Sequence, residues 1–314
     1  MTIRSGVADR MTDNLNARVE IQVADCYSTW AHDYFENFYG DSATYPPVHS
    51  DLILKLLLES GSESVLDAGC GPASFLKHIA SSSIEWHGFD LTPEMVEEAE
   101  RVIDQLGRSH SRVWLGSVLD DAAFTSPEPG LIFDSAVLVG VLPHIPVAAD
   151  VQVLSRMRSA ITPGGLLVAE ARNALFSLFT FNRPTYEFVL QELIGWDALK
   201  VYVALETPEA PKAIEKRLAQ LLAMDLPPTR RGKSGEQGYD EILSRTHVPF
   251  LLKEAAEDAG WRDVKLKFAH FHSLPPQLAT YAPISSREAS LQMESPDDWR
   301  GLFMASTFLV TGHA

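Results

Sequence analysis

Two carboxylates, two glycines and one imidazole stand at spacings that could do chemistry. Asp67 is followed by Gly69 and Gly71 in the run Val65-Leu66-Asp67-Ala68-Gly69-Cys70-Gly71-Pro72-Ala73-Ser74-Phe75-Leu76. Asp90 comes 23 residues after Asp67, and His144 follows a later apolar stretch. Glycines spaced one apart let the backbone turn sharply and approach a ligand that a Cβ would hold away. A carboxylate directly before them suits a cationic group better than a phosphate. A second acid at roughly 20 residues is placed to accept from the two adjacent hydroxyls of a ribose. His144 could take a proton from an oxygen or nitrogen nucleophile near neutral pH, or serve only to bond backbone.

The elements that must position these residues alternate regularly. The stretch 64–67 reads as a buried strand and 73–81 as a helix, with Phe75, Leu76 and Ile79 at helical spacing. A strand over 85–90 is followed by a helix over 93–106, with Pro93 in its first turn and Thr92 as its cap. Strands at 112–115 and 131–139, a helix over 147–161, the turn Thr162-Pro163-Gly164-Gly165 and a strand over 166–170 complete the series. Such alternation implies a parallel sheet with right-handed crossovers and helices on both faces. Ligands of such sheets bind outside the carboxyl ends of the strands, where the strand order reverses.

The flanking segments are less regular. Residues 1–60 read as an N-terminal helical lid in which Tyr27, Trp30, Tyr34, Phe35, Phe38 and Tyr39 recur at spacings of three and four. These rings either clamp the helix to the body or exclude water from a site, with Tyr27 and Tyr34 facing a substrate. A helix over 48–59 closes at Gly61. Residues 61–172 form the core, 173–246 an inserted cap, and 247–314 the completion of the sheet. The stretch from Arg172 to Arg183 is either a buried connection or a substrate wall in which Arg172, Asn173 or Arg183 orients a polar group. Within the cap, 186–193 and 212–224 read as helices, 200–205 as a strand and 230–238 as a mobile loop. Its Gly232-Lys233-Ser234 is no phosphate loop, because Pro227 stands where a glycine is required. A helix over 249–259 and a strand over 264–272 follow, the latter with Phe268, His270 and His272 on one face and no third metal ligand at a useful spacing. Residues 274–298 read as irregular and proline-rich, and 302–310 as the last strand.

Composition excludes several partners. With 42 acidic against 26 basic residues among 314 and no basic block, the net charge of −16 gives no footprint for nucleic acid or anionic membrane. A small-molecule partner is expected, and a homodimer is allowed. The two cysteines, Cys26 and Cys70, build no disulfide framework and fit a reducing cytoplasm. Residues 1–20 lack the apolar run of a signal peptide.

Four motifs in order carry a family resemblance. Asp67-Ala68-Gly69-Cys70-Gly71-Pro72-Ala73 resembles the first motif, D/E-x-G-x-G-x-G, of class I S-adenosylmethionine-dependent methyltransferases, with alanine for the third glycine. His87-Gly88-Phe89-Asp90-Leu91-Thr92-Pro93-Glu94-Met95 is similar to the second-strand motif, whose acid binds ribose. Phe133-Asp134-Ser135 through Val141-Leu142-Pro143-His144-Ile145-Pro146 resembles the fourth-strand motif, and Thr162-Pro163-Gly164-Gly165-Leu166-Leu167-Val168 the turn into strand five.

The resemblance implies an α/β fold: a Rossmann-like, doubly wound, seven-stranded methyltransferase sheet with its last strand antiparallel. It implies S-adenosylmethionine as cofactor and S-adenosylhomocysteine as product. Asp67, Gly69, Cys70 and Gly71 would line the cofactor loop, with Cys70 as inert packing, and Asp90 with Leu91 would meet the ribose. Ser117 and Val118 stand where the family often has an acid for the adenine amine, so Ser117, Asp120 or Asp121 would have to serve. The backbone at Leu138 and Val139 would meet the methionine amine. Ala73 is expected to start its helix and add propensity. The expected reaction is methyl transfer to a small molecule, first to a hydroxyl and next to a nitrogen, with His144 as general base. A nicotinamide-dependent oxidoreductase is a rival, although Ser74 stands where its fingerprint needs glycine or alanine, and so is a non-catalytic S-adenosylmethionine-binding protein.

Overall fold

Val65, Leu66, Asp67 and Ala68 are buried one after another, the pattern of a parallel strand covered on both faces. The structure, a computed structural model, describes residues 5–29, 34, 47–226, 238 and 241–314, with side chains from 16 onward. Trp30, Phe35, Phe38, Tyr39 and 230–237 of the expected mobile loop lie outside the described residues.

The chain opens with α1 (Ser5–Ser28) and α2 (Val48–Ser60), the latter stopped by the left-handed Gly61. Then come β1 (Ser64–Ala68), α3 (Ser74–His78), β2 (Glu85–Asp90), α4 (Pro93–Gln105) and β3 (Arg112–Leu115). These are followed by β4 (Phe133–Leu138), α5 (Asp150–Ser159) and β5 (Ile161–Arg172). After the inserted segment, α10 (Pro249–Asp258), β6 (Arg262–Phe271) and β7 (Ala305–His313) complete a seven-stranded sheet of order β3-β2-β1-β4-β5-β7-β6. β1 pairs in parallel with β2 on one side and β4 on the other, so the order reverses at β1. That is where the carboxyl ends of the strands open a crevice. β7 runs antiparallel to β5: Gly164 N–H donates to Ala314 O and Asn173 N–H to Ser306 O, so early residues of one strand meet late residues of the other. The expected turn 162–165 lies inside β5 as an irregularity, since Phe133 pairs with Ile161 but Ser135 pairs with Leu166.

The described residues fall into two compact units, 1–171 with 229–267 and 309–314, and 172–228 with 268–308. In the first, Ile53 and Leu57 of α2, Phe75 and Leu76 of α3 with Ile79 after it, and Val102 of α4 join Val65, Trp86, Val137 and Val168 of the sheet in one core. In the second are α6 (Ser177–Thr180), α7 (Arg183–Phe188), α8 (Trp196–Val203), α9 (Ala210–Ala219), α11 (Pro276–Ala279), α12 (Pro283–Gln292) and α13 (Gly301–Met304). A π-turn, Val189–Leu193, extends α7.

Four local expectations are corrected. Residues 200–205 form no strand: most of them continue α8, since Val201 and Tyr202 stand exposed where a sheet would need them covered. Residues 274–298 are largely helical, because Pro276 and Pro283 occupy first-turn positions, where the missing N–H costs nothing. His270 has φ +59 and breaks the alternation of β6, so Phe268 and Ala269 are both buried while His270 is partly exposed. Thr92 precedes α4 but makes no side-chain cap bond.

Ala73 departs from expectation most usefully. It does not start the helix: it precedes α3 in the left-handed region at φ 55, ψ 39, the conformation a glycine adopts without strain. Ala73→Gly is therefore expected to raise unfolding stability by about 1 kcal/mol. Denaturant titration checks this; a loss of about 1 kcal/mol, as removal of helix propensity would give, would contradict it.

Candidate cofactor and active site

The first unit carries a cavity at the carboxyl ends of β1, β2 and β4, enclosing about 710 Å³ including its open mouth. Gly69, Gly71, Asp90, Leu91, Ser117, Val118, Val139 and His144 line it, together with Tyr27 and Tyr34. Asp67 and Cys70 line an adjoining cleft with Tyr34, Gly69, Gly71 and Val139. Residues scattered over more than a hundred positions thus meet at one crevice, most of them ending or following β1, β2, β3 and β4, and Tyr27 coming from α1. Leu138 is fully buried and is not among the lining residues.

The glycine loop is shaped from within. Gly69 N–H and Cys70 N–H both donate to Phe89 O, at 2.8 and 2.9 Å, and Gly71 N–H donates to Asp90 Oδ2 at 2.8 Å. A Cβ on Gly69 would lie 2.3 Å from Val141 Cγ2, so the loop after β4 packs directly on this glycine. That second loop is held by Glu170, whose Oε2 accepts from Gly140 N–H at 2.7 Å. Asp90 also accepts from Thr92 N–H at 2.9 Å through its other oxygen. Burial pushes the Asp90 carboxyl up, against the opposing bonds from Thr92 and Gly71. Asp67 accepts from Trp86 Nε1 at 3.0 Å, and burial pushes its carboxyl up to about 7, opposed by that bond and reinforced by the charge of Asp90. Burial pushes the Cys70 thiol well above its ordinary value, which makes a nucleophilic thiolate unfavourable.

His144 is 6% exposed and held through both ring nitrogens. Its Nδ1 lies 2.7 Å from Leu243 O, and a carbonyl only accepts, so Nδ1 carries the proton. Nε2 then accepts from the Tyr27 hydroxyl at 2.9 Å. Tyr27 stacks edge-on against the imidazole and packs with Tyr34 on Met95 of α4. The structure therefore joins Tyr27 to His144 as a hydrogen-bonded pair.

One residue escaped the sequence reading. Glu20 of α1 lines the cavity and accepts from the Ser117 hydroxyl. It places an acid beside Ser117, whereas Asp120 caps a short turn by accepting from Ala122 N–H and Asp121 pairs with Arg156. The signal was present in spacing: Glu20, Val23 and Tyr27 recur at three and four on one helix face, and all three line the cavity.

The remaining predicted residues belong to the second unit. Asn173 is 2% exposed, and its carboxamide is fully engaged: Nδ2 donates to Gly301, Leu302 and Ala305 carbonyls and Oδ1 accepts from Leu175 N–H. It organises the chain beyond β5 and is not available to orient a ligand. Arg183 pairs with Glu187 at 3.7 Å on the surface of α7. His272 bonds Ser306 and packs on Phe176, with burial lowering it to about 4. Among the described residues no group of three or more His, Cys, Asp or Glu could hold a metal ion, and no helix is long and apolar enough to cross a membrane.

Residues 66–167, from β1 into β5, match the family model of a methyltransferase domain. This stretch, under half of the chain, is similar to a methyltransferase domain. It contains the glycine loop, Asp90, Ser117 and His144, so the site just described lies largely within it. Solved structures similar to this chain include an O-methyltransferase family protein from Burkholderia thailandensis at 13% identity and TM-score 0.46, covering 85% of this chain and 55% of that one. A SAM-dependent methyltransferase from Archaeoglobus fulgidus is similar at 17% identity and TM-score 0.45, covering 90% and 98%. The magnesium protoporphyrin IX methyltransferase of Synechocystis PCC 6803, with bound S-adenosylhomocysteine, is similar at 14% identity and TM-score 0.48, covering 94% and 99%. The chain spans 55% and 60% of the lengths of the first two structures it matches. None of the curated proteins matches it.

Proposed function

We propose that this methyltransferase domain binds S-adenosylmethionine in the crevice at the end of β1 and directs its methyl group to a hydroxyl of a small molecule. One observation carries the cofactor reading. The loop N–H groups that a dinucleotide phosphate would need are spent inside the fold on Phe89 O and Asp90, two carboxylates flank the loop, and no Lys or Arg is among the described lining residues. That environment repels a pyrophosphate and favours a ligand with a cationic end and a ribose.

Asp90 accepts from the ribose hydroxyls, and Asp67 faces the cofactor's ammonium end beside Val139. Glu20, held by the Ser117 hydroxyl, accepts from the adenine amine, and Leu91 and Val118 cover the ring. When bound, the cofactor supplies an electrophilic methyl group on a sulfonium. Tyr27 and Tyr34 exclude water, so that holding the acceptor in line provides much of the rate. His144 Nε2 takes the acceptor's hydroxyl proton, with Tyr27 as the donor that occupies this lone pair until the acceptor arrives.

Calorimetry with S-adenosylhomocysteine and NADH tests the cofactor assignment: the first binds and the second does not, and the reverse would overturn it. Methyl label is then followed into hydroxyl-bearing fractions of a cell extract. With an acceptor in hand, His144→Ala is expected to lower kcat by about 100-fold or more while leaving S-adenosylhomocysteine affinity within a few-fold. Turnover equal to the unaltered protein would remove His144 from the chemistry.

A further inference from the structure

The loop that carries His144 is gripped by a segment a hundred residues later in the chain. Leu243 O accepts from His144 Nδ1 at 2.7 Å, and Arg245 N–H donates to Pro143 O at 3.0 Å. The Arg245 side chain then reaches past the histidine, its Nε donating to Ile145 O at 2.6 Å. Its guanidinium forms a two-pronged pair with Asp150 at the start of α5, Nη1 to Oδ2 at 3.0 Å and Nη2 to Oδ1. The two side chains are 14% and 11% exposed, and His247 Nε2 lies 3.8 Å from Asp150 Oδ2. Both chain neighbours of His144 are thus held by Arg245, and His144 itself by the carbonyl two residues before it.

A largely buried ion pair is a poor device for stability, since desolvating both charges offsets their attraction. It is a good device for geometry, because the planar guanidinium fixes several acceptors at once. Here those acceptors are the carbonyl after His144 and a carboxylate, and the same segment presents the carbonyl that settles which imidazole nitrogen bears the proton.

We propose that Arg245 and Asp150 are positioning residues which, by clamping 243–247 onto the loop after β4, hold His144 in the Nδ1–H form with Nε2 presented to the cavity. The proposal rests on the reading of His144 as proton acceptor only for its effect on rate; the clamp itself is tested without turnover. Nitrogen-15 NMR of the imidazole in the ligand-free chain is expected to show His144 as the Nδ1–H tautomer. In Arg245→Gln the His144 signals should move toward a mixture of tautomers. With an acceptor in hand, kcat should fall about 10- to 100-fold, with S-adenosylhomocysteine affinity within twofold and the acceptor KM little changed. Arg245→Lys, which can pair with Asp150 but cannot also bond Ile145 O in the same plane, should restore part of the loss. If Arg245→Gln does not fold, Asp150→Asn, which keeps the shape and one acceptor oxygen, carries the same expectations at smaller size. A folded variant with unaltered tautomer would overturn the clamp. A shifted tautomer with unaltered kcat would leave the clamp standing and overturn the role given to His144.

Discussion

Gly71→Val is expected to cut S-adenosylhomocysteine affinity by at least 100-fold while the protein still folds. Two effects add. Gly71 sits at φ +53, where a β-branched residue is strained and the loop must shift to accommodate it. A Cβ there meets nothing within 4 Å, so the new side chain projects into open space at a residue that lines the cavity. The protein interior has no clash to relieve, and the loss falls on binding. Gly69 provides the contrast, because a Cβ at that position collides with Val141 and would damage the fold itself. Calorimetric titration and a melting curve on the same preparation separate the two; binding at unaltered affinity would sink the placement of the cofactor beside this loop.

The second large effect is on pH. With its carboxyl raised from 3.8 to about 7 by burial, Asp67 is protonated in the ligand-free protein through the mildly acidic range. A folded-state value above the unfolded one stabilises fully below the unfolded value, and that contribution fades as pH rises through the folded one. Stability of the ligand-free chain should therefore fall between about pH 4 and pH 7, by up to roughly 4 kcal/mol from this group. Binding a cation beside Asp67 requires the carboxylate, so affinity should climb toward pH 7, by up to about tenfold per unit, and then level off. Calorimetry in buffers of different ionisation enthalpy should register a released proton below pH 7. Asp67→Asn keeps an acceptor for Trp86 and should abolish both the proton release and the slope; a slope that survives would show that Asp67 does not meet the cation.

What could be read without the structure followed from local rules. The strand, turn and acid of β1 and β2 declare themselves through apolar runs ended by glycine and aspartate, and the parallel sheet follows from the alternation of strand and helix, whereas its seven strands and antiparallel end were implied only by the resemblance. Ala73 was misjudged because propensity describes a helix interior, whereas the residue lies one position outside in a left-handed turn. Pro276 and Pro283 suggested irregularity because proline breaks a helix from within and starts one from its first turn, and only the flanking packing tells which. Glu20 and Arg245 were invisible for a different reason. Their roles are set by partners 97 and 95 to 100 residues away, Ser117 in one case and Asp150 and Ile145 in the other. Periodicity marks the face of a helix but does not say which loop that face will meet.

Trp86 gives the cofactor crevice an optical consequence. Its indole is fully buried and donates its one N–H to Asp67, the carboxyl that would change charge on binding a cation at the proposed site. An indole excited state carries a large dipole, so a negative charge appearing at its N–H shifts the wavelength and yield of its emission. The chain has six tryptophans, but this one is hydrogen-bonded to the titrating group. Loading of the crevice, ordinarily silent because the ligand itself does not fluoresce, can thereby be followed in the native protein without an attached dye.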